Sequence, residues 1–254
     1  MKDSVICLYK KIGETPLQRL NRLRVEDPRY ENEILTYAGR LDPMAEGLLL
    51  VLVGEENKNR DKYLGLNKEY IFEAVFGVSS DTYDVLGKVI TSPYNNIDVV
   101  VLNEFVSKAL EKFKGKIKQE YPPFSSKPVL GKPLFVWAKE GRISEIDLPT
   151  SEIEIFNIEL LSDFSINRND FQKKILEMIA TVSGDFRQDE IIEEWNKFFQ
   201  HTKKTDFFGI RAKVYCSSGT YIRGIVNNLG NMLGCGAVAT KILRTKIGEF
   251  ELKD

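Results

Sequence analysis

The sequence predicts a fold that mixes β-strands with amphipathic helices around a large core. Residues 68–78 alternate, with Tyr70, Phe72, Ala74 and Phe76 on one face and Ile71, Glu73 and Val75 on the other, which is the two-residue period of a strand. Two other stretches carry apolar residues at helical spacing: Phe105, Val106, Ala109, Leu110 and Phe113 in one, and Ile222, Ile225, Val226 and Leu229 in the other. A chain of 254 residues, 43% of them hydrophobic, can bury a sizeable core as one large domain or two small ones.

Taken in order, residues 5–9 form a short strand. Lys10 to Pro16 is a turn that opens a helix, with Thr15 as cap, Pro16 in first position, and Leu17, Leu20 and Leu23 on one face. Residues 26–32 are polar, hold Pro28 and form a loop, and residues 34–37 are a short strand. An apolar run from Leu48 to Val53 follows. After the strand at 68–78 come a polar loop (79–87) and an extended return (88–90), and then the helix at 103–113, ended by Gly115.

Residues 116–142 combine Pro122, Pro123, Pro128 and Pro133 with Tyr121, Phe124, Phe135 and Trp137. A surface loop of that composition is expected, partly mobile, and able to grip a phosphate backbone and stack on bases; a long loop with a solvated lysine fringe fits the same residues. Residues 152–160 alternate as a strand. Two helical patterns follow, at 170–182 and 190–199. Residues 211–216 are a strand, Thr220 caps the helix bearing Ile222 to Leu229, and residues 237–250 are extended.

Three cysteines at unrelated spacings and a single histidine, His201, give neither a disulfide framework nor a metal site, and they fit a reducing cytoplasm. His201 reads as a surface residue. The start, Met1-Lys2-Asp3-Ser4, leads into too short an apolar run for a signal peptide, and no segment is long enough to span a membrane. A net charge of −1 argues against a nucleic-acid partner, since dedicated binders are mostly basic. The charge is uneven, however: Lys112, Lys114, Lys116, Lys118, Lys127, Lys132, Lys139 and Arg142 crowd a region with few acids, whereas Asp189, Glu190, Glu193 and Glu194 lie elsewhere.

The stretch with most chemical content runs from Tyr37 to Leu50. Pro43 restricts Asp42 to extended backbone angles, and Gly39 and Gly47 permit a tight path on either side. A carboxylate held in one pose suits a nucleophile or a general acid/base. It equally suits an N-cap, with Pro43 at the first helical position. Arg223 breaks a rule: it stands in the first turn of its helix, where the macrodipole disfavours a cation, and off the apolar stripe. A facing carboxylate would remove the conflict, and Asp42 is the natural partner; an exposed arginine with no role is the alternative.

Gly39-Arg40-Leu41-Asp42-Pro43-Met44-Ala45-Glu46-Gly47-Leu48-Leu49 resembles the active-site motif of pseudouridine synthases. The TruB branch is singled out by three further motifs. They are Lys68-Glu69-Tyr70 with Ser80-Asp81-Thr82; the Pro-rich segment Phe113-Lys114-Gly115 to Gly131-Lys132; and Cys216-Ser217-Ser218-Gly219-Thr220-Tyr221-Ile222-Arg223 with Leu243-Arg244-Thr245. The resemblance implies an α+β fold, with a mixed, mainly antiparallel central sheet flanked by helices and loops and an RNA-binding cleft. It implies isomerisation of uridine to pseudouridine in tRNA, at uridine 55 of the T loop, with Asp42 as the catalytic group. Tyr70 would stack on the flipped base, Arg223 would pair with Asp42, and Tyr221 and Ile242 would line the base pocket. Tyr37, where relatives carry histidine, would stack into the RNA. No metal or organic cofactor is implied, and the partner is the tRNA T arm rather than DNA or a membrane. The expected organisation is one monomeric domain over residues 1–254. Residues 162–209 would be a helical insertion, and the PUA domain that often follows in the family is absent.

Overall fold

The structure, a computed structural model, describes residues 3–90 and 99–252; Met1 and Lys2, part of the start read above for a signal peptide, lie outside them. Strand β1 (Val5–Lys10) leads to helix α1 (Pro16–Glu26), β2 (Leu35–Ala38), β3 (Ala45–Val53) and the short α2 (Arg60–Leu64). Next come β4 (Lys68–Phe76), β5 (Ser79–Ser80), β6 (Val89–Ile90) and α3 (Val99–Glu111). They are followed by β7 (Gly115–Glu120), β8 (Pro128–Val129), β9 (Lys132–Pro133) and α4 (Leu134–Lys139). The chain then forms β10 (Thr150–Asn167), α5 (Arg168–Ala180), α6 (Gln188–His201), β11 (Asp206–Cys216), α7 (Ile222–Met232), β12 (Ala237–Ile247) and β13 (Phe250–Glu251).

The fold is α+β, built on a mixed central sheet. Among the described residues its order is β1-β3-β12-β4-β11-β10-β7, with β2 beside β3 and β13 beside β12. Every pairing is antiparallel except β3 with β12, which run parallel with Ile242 opposite Ala45 and Arg244 opposite Gly47. Alternation on β4 divides the core as the sequence predicts. Tyr70, Phe72, Ala74 and Phe76 pack with α3 and α7, whereas Val75 faces α5 and α6 on the other side. A third cluster packs Leu20 and Leu23 of α1 on Leu49 and Val51 of β3. No helix among the described residues is long and apolar enough to cross a membrane.

Helix α1 starts as its sequence dictates. The Thr15 hydroxyl accepts from the Gln18 amide, and the Gln18 side chain accepts from the Thr15 amide, so two otherwise unpaired donors are satisfied. Leu17, expected on the buried face, is 58% exposed, and Phe105 of α3 is 53% exposed. Each lies one step off the stripe formed by its buried neighbours. Thr220 does not cap α7: its hydroxyl donates to the Ser217 carbonyl, and the capping position is Tyr221. Residues 116–142 are not one long loop. They form the edge strand β7, the β8–β9 hairpin and α4, where Trp137 is buried and donates to the Val129 carbonyl. The strand expected at 152–160 extends through Asn167, paired with β7 up to Ile155 and with β11 from Ile155 on, so the helical pair expected over 162–209 is confined to residues 168–201 between the two long strands.

Candidate active site

Asp42 sits in the tight turn between β2 and β3, where its carbonyl accepts from the Ala45 amide. No helix follows Pro43, so the capping reading fails and the Asp42 carboxylate is left for other partners. Gly47 seats this turn against the rest of the sheet. Its φ is +108°, and a Cβ there would lie 2.4 Å from the Arg244 carbonyl oxygen, so only glycine lets β3 and β12 run side by side at that point.

Arg223 reaches Asp42 from α7. Its Nε donates to Asp42 Oδ2 at 2.7 Å, its Nη1 to the Thr82 carbonyl at 2.5 Å and its Nη2 to the Phe124 carbonyl at 3.4 Å. The guanidinium is spread over three acceptors and meets Asp42 through Nε alone. The Arg223 side chain is 4% exposed and that of Asp42 39%, so a fixed cation presents a carboxylate that remains open on one side. Burial opposes the arginine's charge, but the attraction of Asp42 and Asp84 outweighs it and holds the guanidinium above its ordinary value. Those two carboxylates also offset the unfavourable dipole at the start of α7. The start itself is clamped by Gln119, which accepts from the Tyr221 amide and donates to the Tyr221 carbonyl.

Three buried polar residues at this site were given no role from the sequence, although Lys68 and Arg244 stand in the motifs quoted above. Arg244 is fully buried and donates to the carbonyls of Leu48, Arg40 and Gly39, and so ties β12 to both sides of the Asp42 turn. Asp84 lies 3.6 Å from Arg223 Nε and accepts from the Thr82 hydroxyl and the Leu86 amide. Burial pushes its carboxyl up to about 6, against the pull of Arg223. Lys68, whose ammonium donates to the Leu64 carbonyl, is pushed down to about 8 by burial, helped by the Arg244 charge. The available signal was a clustering of charged residues in otherwise apolar strands; Arg244 follows Ile242 and Leu243 directly.

A cleft of about 680 Å³ opens over Asp42. Tyr70, Tyr221, Arg223 and Ile242 all line it, so five of the six residues singled out from the sequence converge on one surface. Burial pushes the phenols of Tyr70 and Tyr221 up, so both stay protonated donors. Tyr37 stands apart: it pairs with Val51 in β2–β3 and packs against the α1 cluster, off the cleft wall. Arg40, Lys68, Lys139, Arg187, Arg223 and Arg244 outnumber Asp42, Asp84 and Asp185 on the wall, which gives a chain of near-zero net charge a locally positive cleft.

The basic cluster at 112–142 is less free than its composition suggests. Lys114 pairs with Glu111, Lys132 with Glu140 and Arg142 with Glu145. Lys132 and Arg142 also flank the Trp137 ring, and Lys127 lies over Tyr121. His201 is exposed at the end of α6. Among the described residues no group of three or more His, Cys, Asp or Glu could hold a metal ion.

Residues 29–181 match the family model described as the N-terminal domain of TruB family pseudouridylate synthases. The chain belongs to the TruB family. It is 29% identical over 250 residues to tRNA pseudouridine synthase B of Clostridioides difficile, covering 98% of this chain and 67% of that protein. The enzyme of the same name from Thermosipho melanesiensis is 31% identical over 247 residues, 97% of this chain and 64% of the relative. This TruB-family chain thus spans about two thirds of the curated relatives' length. Among solved structures, a chain of a Cbf5–Nop10–Gar1 complex superposes with a TM-score of 0.55 at 17% identity, covering 98% of this chain and 50% of that one. That likeness is one of fold.

Proposed function

We propose that this protein isomerises uridine to pseudouridine in tRNA, at uridine 55 of the T loop, with Asp42 as the catalytic group. One observation carries the reading: Asp42 Oδ2 is held 2.7 Å from the buried Arg223 Nε while the carboxylate stays open to a cleft walled by Tyr70, Tyr221 and Ile242. Family membership and the name shared by the curated relatives support the substrate class.

The reaction breaks the C1′–N1 glycosidic bond, rotates the uracil and forms a C1′–C5 bond; C5 loses a proton and N1 gains one. The target base must leave its loop to reach a carboxylate inside this cleft. Asp42 supplies an anionic oxygen to the electron-poor C1′ as the bond breaks. The Arg223 contact keeps that oxygen aimed. Tyr70 stacks on the extruded base, Tyr221 and Ile242 shape its pocket, and the cationic wall receives the flanking phosphates. The position of Tyr37 leaves it a role only with RNA outside the cleft. Isomerisation transfers no group and no electrons overall, so the proposal calls on no cofactor. We read residues 1–254 as one catalytic unit acting as a monomer on the T arm.

Pseudouridine mapping on unmodified tRNA, with wild-type protein beside Asp42→Asn, tests this. Conversion at uridine 55 that falls by a factor of about 10⁴ or more in the variant, with tRNA affinity kept, is the expected result. Tight tRNA binding without conversion by the wild type would make the protein an RNA chaperone. Conversion confined to ribosomal RNA would reassign the substrate.

A further inference from the structure

The α5–α6 linker reaches the cleft. Gln18 of α1 donates to the Ser183 hydroxyl at 2.7 Å at one end of the linker. At the other end Asp185, Phe186 and Arg187 lie on the cleft wall. Arg187 has a φ of +62°, a left-handed backbone that a non-glycine residue adopts only where its surroundings compensate.

The compensation is visible in its side chain. The guanidinium forks onto Asp81, with Nη1 2.9 Å from Oδ2 and Nη2 3.3 Å from Oδ1. Its flat face lies 4.1 Å from the centroid of the Phe124 ring. Asp81 itself is fixed, because its Oδ1 also accepts from the Lys88 amide. Both partners of Arg187 adjoin the acceptors of Arg223: Thr82 follows Asp81 and gives its carbonyl to Arg223, and Phe124 gives its own carbonyl. One arginine thus grips from outside the two segments that the other grips from within.

We propose that Arg187 is a positioning residue for the Arg223–Asp42 pair, acting through Asp81 and Phe124; this rests on the function proposed above. Its fork and its ring face are both engaged and its side chain is 15% exposed, so it has little left to offer a phosphate. The loop it grips is also held from behind, where the buried Trp195 of α6 donates to the Val85 and Gly87 carbonyls. The helical pair is therefore built into the active-site scaffold.

The test is single-turnover conversion of an unmodified tRNA transcript by wild-type, Arg187→Ala and Arg187→Lys proteins, with transcript Kd measured alongside. Arg187→Ala is expected to lower the rate at saturating tRNA by about tenfold or more, because small displacements of reacting groups are amplified in rate. The Kd should stay within about twofold, and Arg187→Lys should recover part of the rate, since it keeps the charge but loses the fork and the stacked plane. An unchanged rate, or a loss confined to Kd, overturns the proposal. Should Arg187→Ala not fold, Asp81→Asn and Arg187→Lys make the same comparison. If the wild type converts no RNA, the functional reading fails, and the crystal structure of Arg187→Ala decides this one without turnover: a displaced Thr82 carbonyl or a lengthened Arg223–Asp42 contact supports it, and an unmoved pair overturns it.

Discussion

Asp84 is the residue whose environment conflicts most with its charge. It is buried, its Oδ1 is satisfied by neutral donors, and the cation beside it, Arg223, is shared with Asp42. With its carboxyl raised to about 6, the folded protein binds this proton more tightly than the unfolded chain does. The group's contribution to stability is therefore greatest below the unfolded value near 3.8 and is lost as pH rises through about 6. Asp84→Asn keeps the Oδ1 acceptor and removes the charge, so it should match the wild type near pH 4 and exceed it by about 2–3 kcal/mol above pH 7. Urea denaturation of both proteins from pH 4 to 8 reads that difference; a constant gap would place the cause outside ionisation.

At the scale of elements, the parallel β3–β12 pair decides where the site forms. It sets Arg244 against Gly47, and the Arg244 guanidinium then ties the Asp42 turn from both sides. Gly47→Ala puts a methyl into the Arg244 carbonyl and a side chain at a φ that favours glycine. The expected cost is about 2–4 kcal/mol, with loss of conversion exceeding what unfolding explains. Denaturant midpoints measured beside rates separate the two effects. The α5–α6 pair has a comparable weight. Trp195 stacks on Phe199, meets Phe171 edge to face and spans to the loop at 85–87. Trp195→Ala should destabilise by about 3–5 kcal/mol in urea melts, since it opens a cavity and strands two carbonyls. A loss under about 1 kcal/mol would mean the helices fold independently of the sheet.

At the scale of the molecule, the cleft draws on residues from Gly39 to Arg244, brought together by a sheet in which β12 returns between β3 and β4. The strand and helix periods, the Thr15 cap and the tight Asp42-Pro43 turn are local properties, and the sequence alone determined them. The Asp42–Arg223 pairing was legible only in part: a cation in the first turn of a helix is a local conflict, but an exposed arginine fitted it as well, and the motif resemblance was needed to choose the pair. The boundaries of β10, the exposure of Leu17 and Phe105, and the structure of residues 116–142 were not legible, since each depends on what packs against them. Only the tertiary structure decided that Arg244 and Asp84 are buried in the site, that the α5–α6 linker forms part of its wall and that Tyr37 does not. Strand register and loss of water are set by segments far apart in the chain. A charged residue in a strand therefore reads the same in sequence whether it faces solvent or a neighbouring carbonyl.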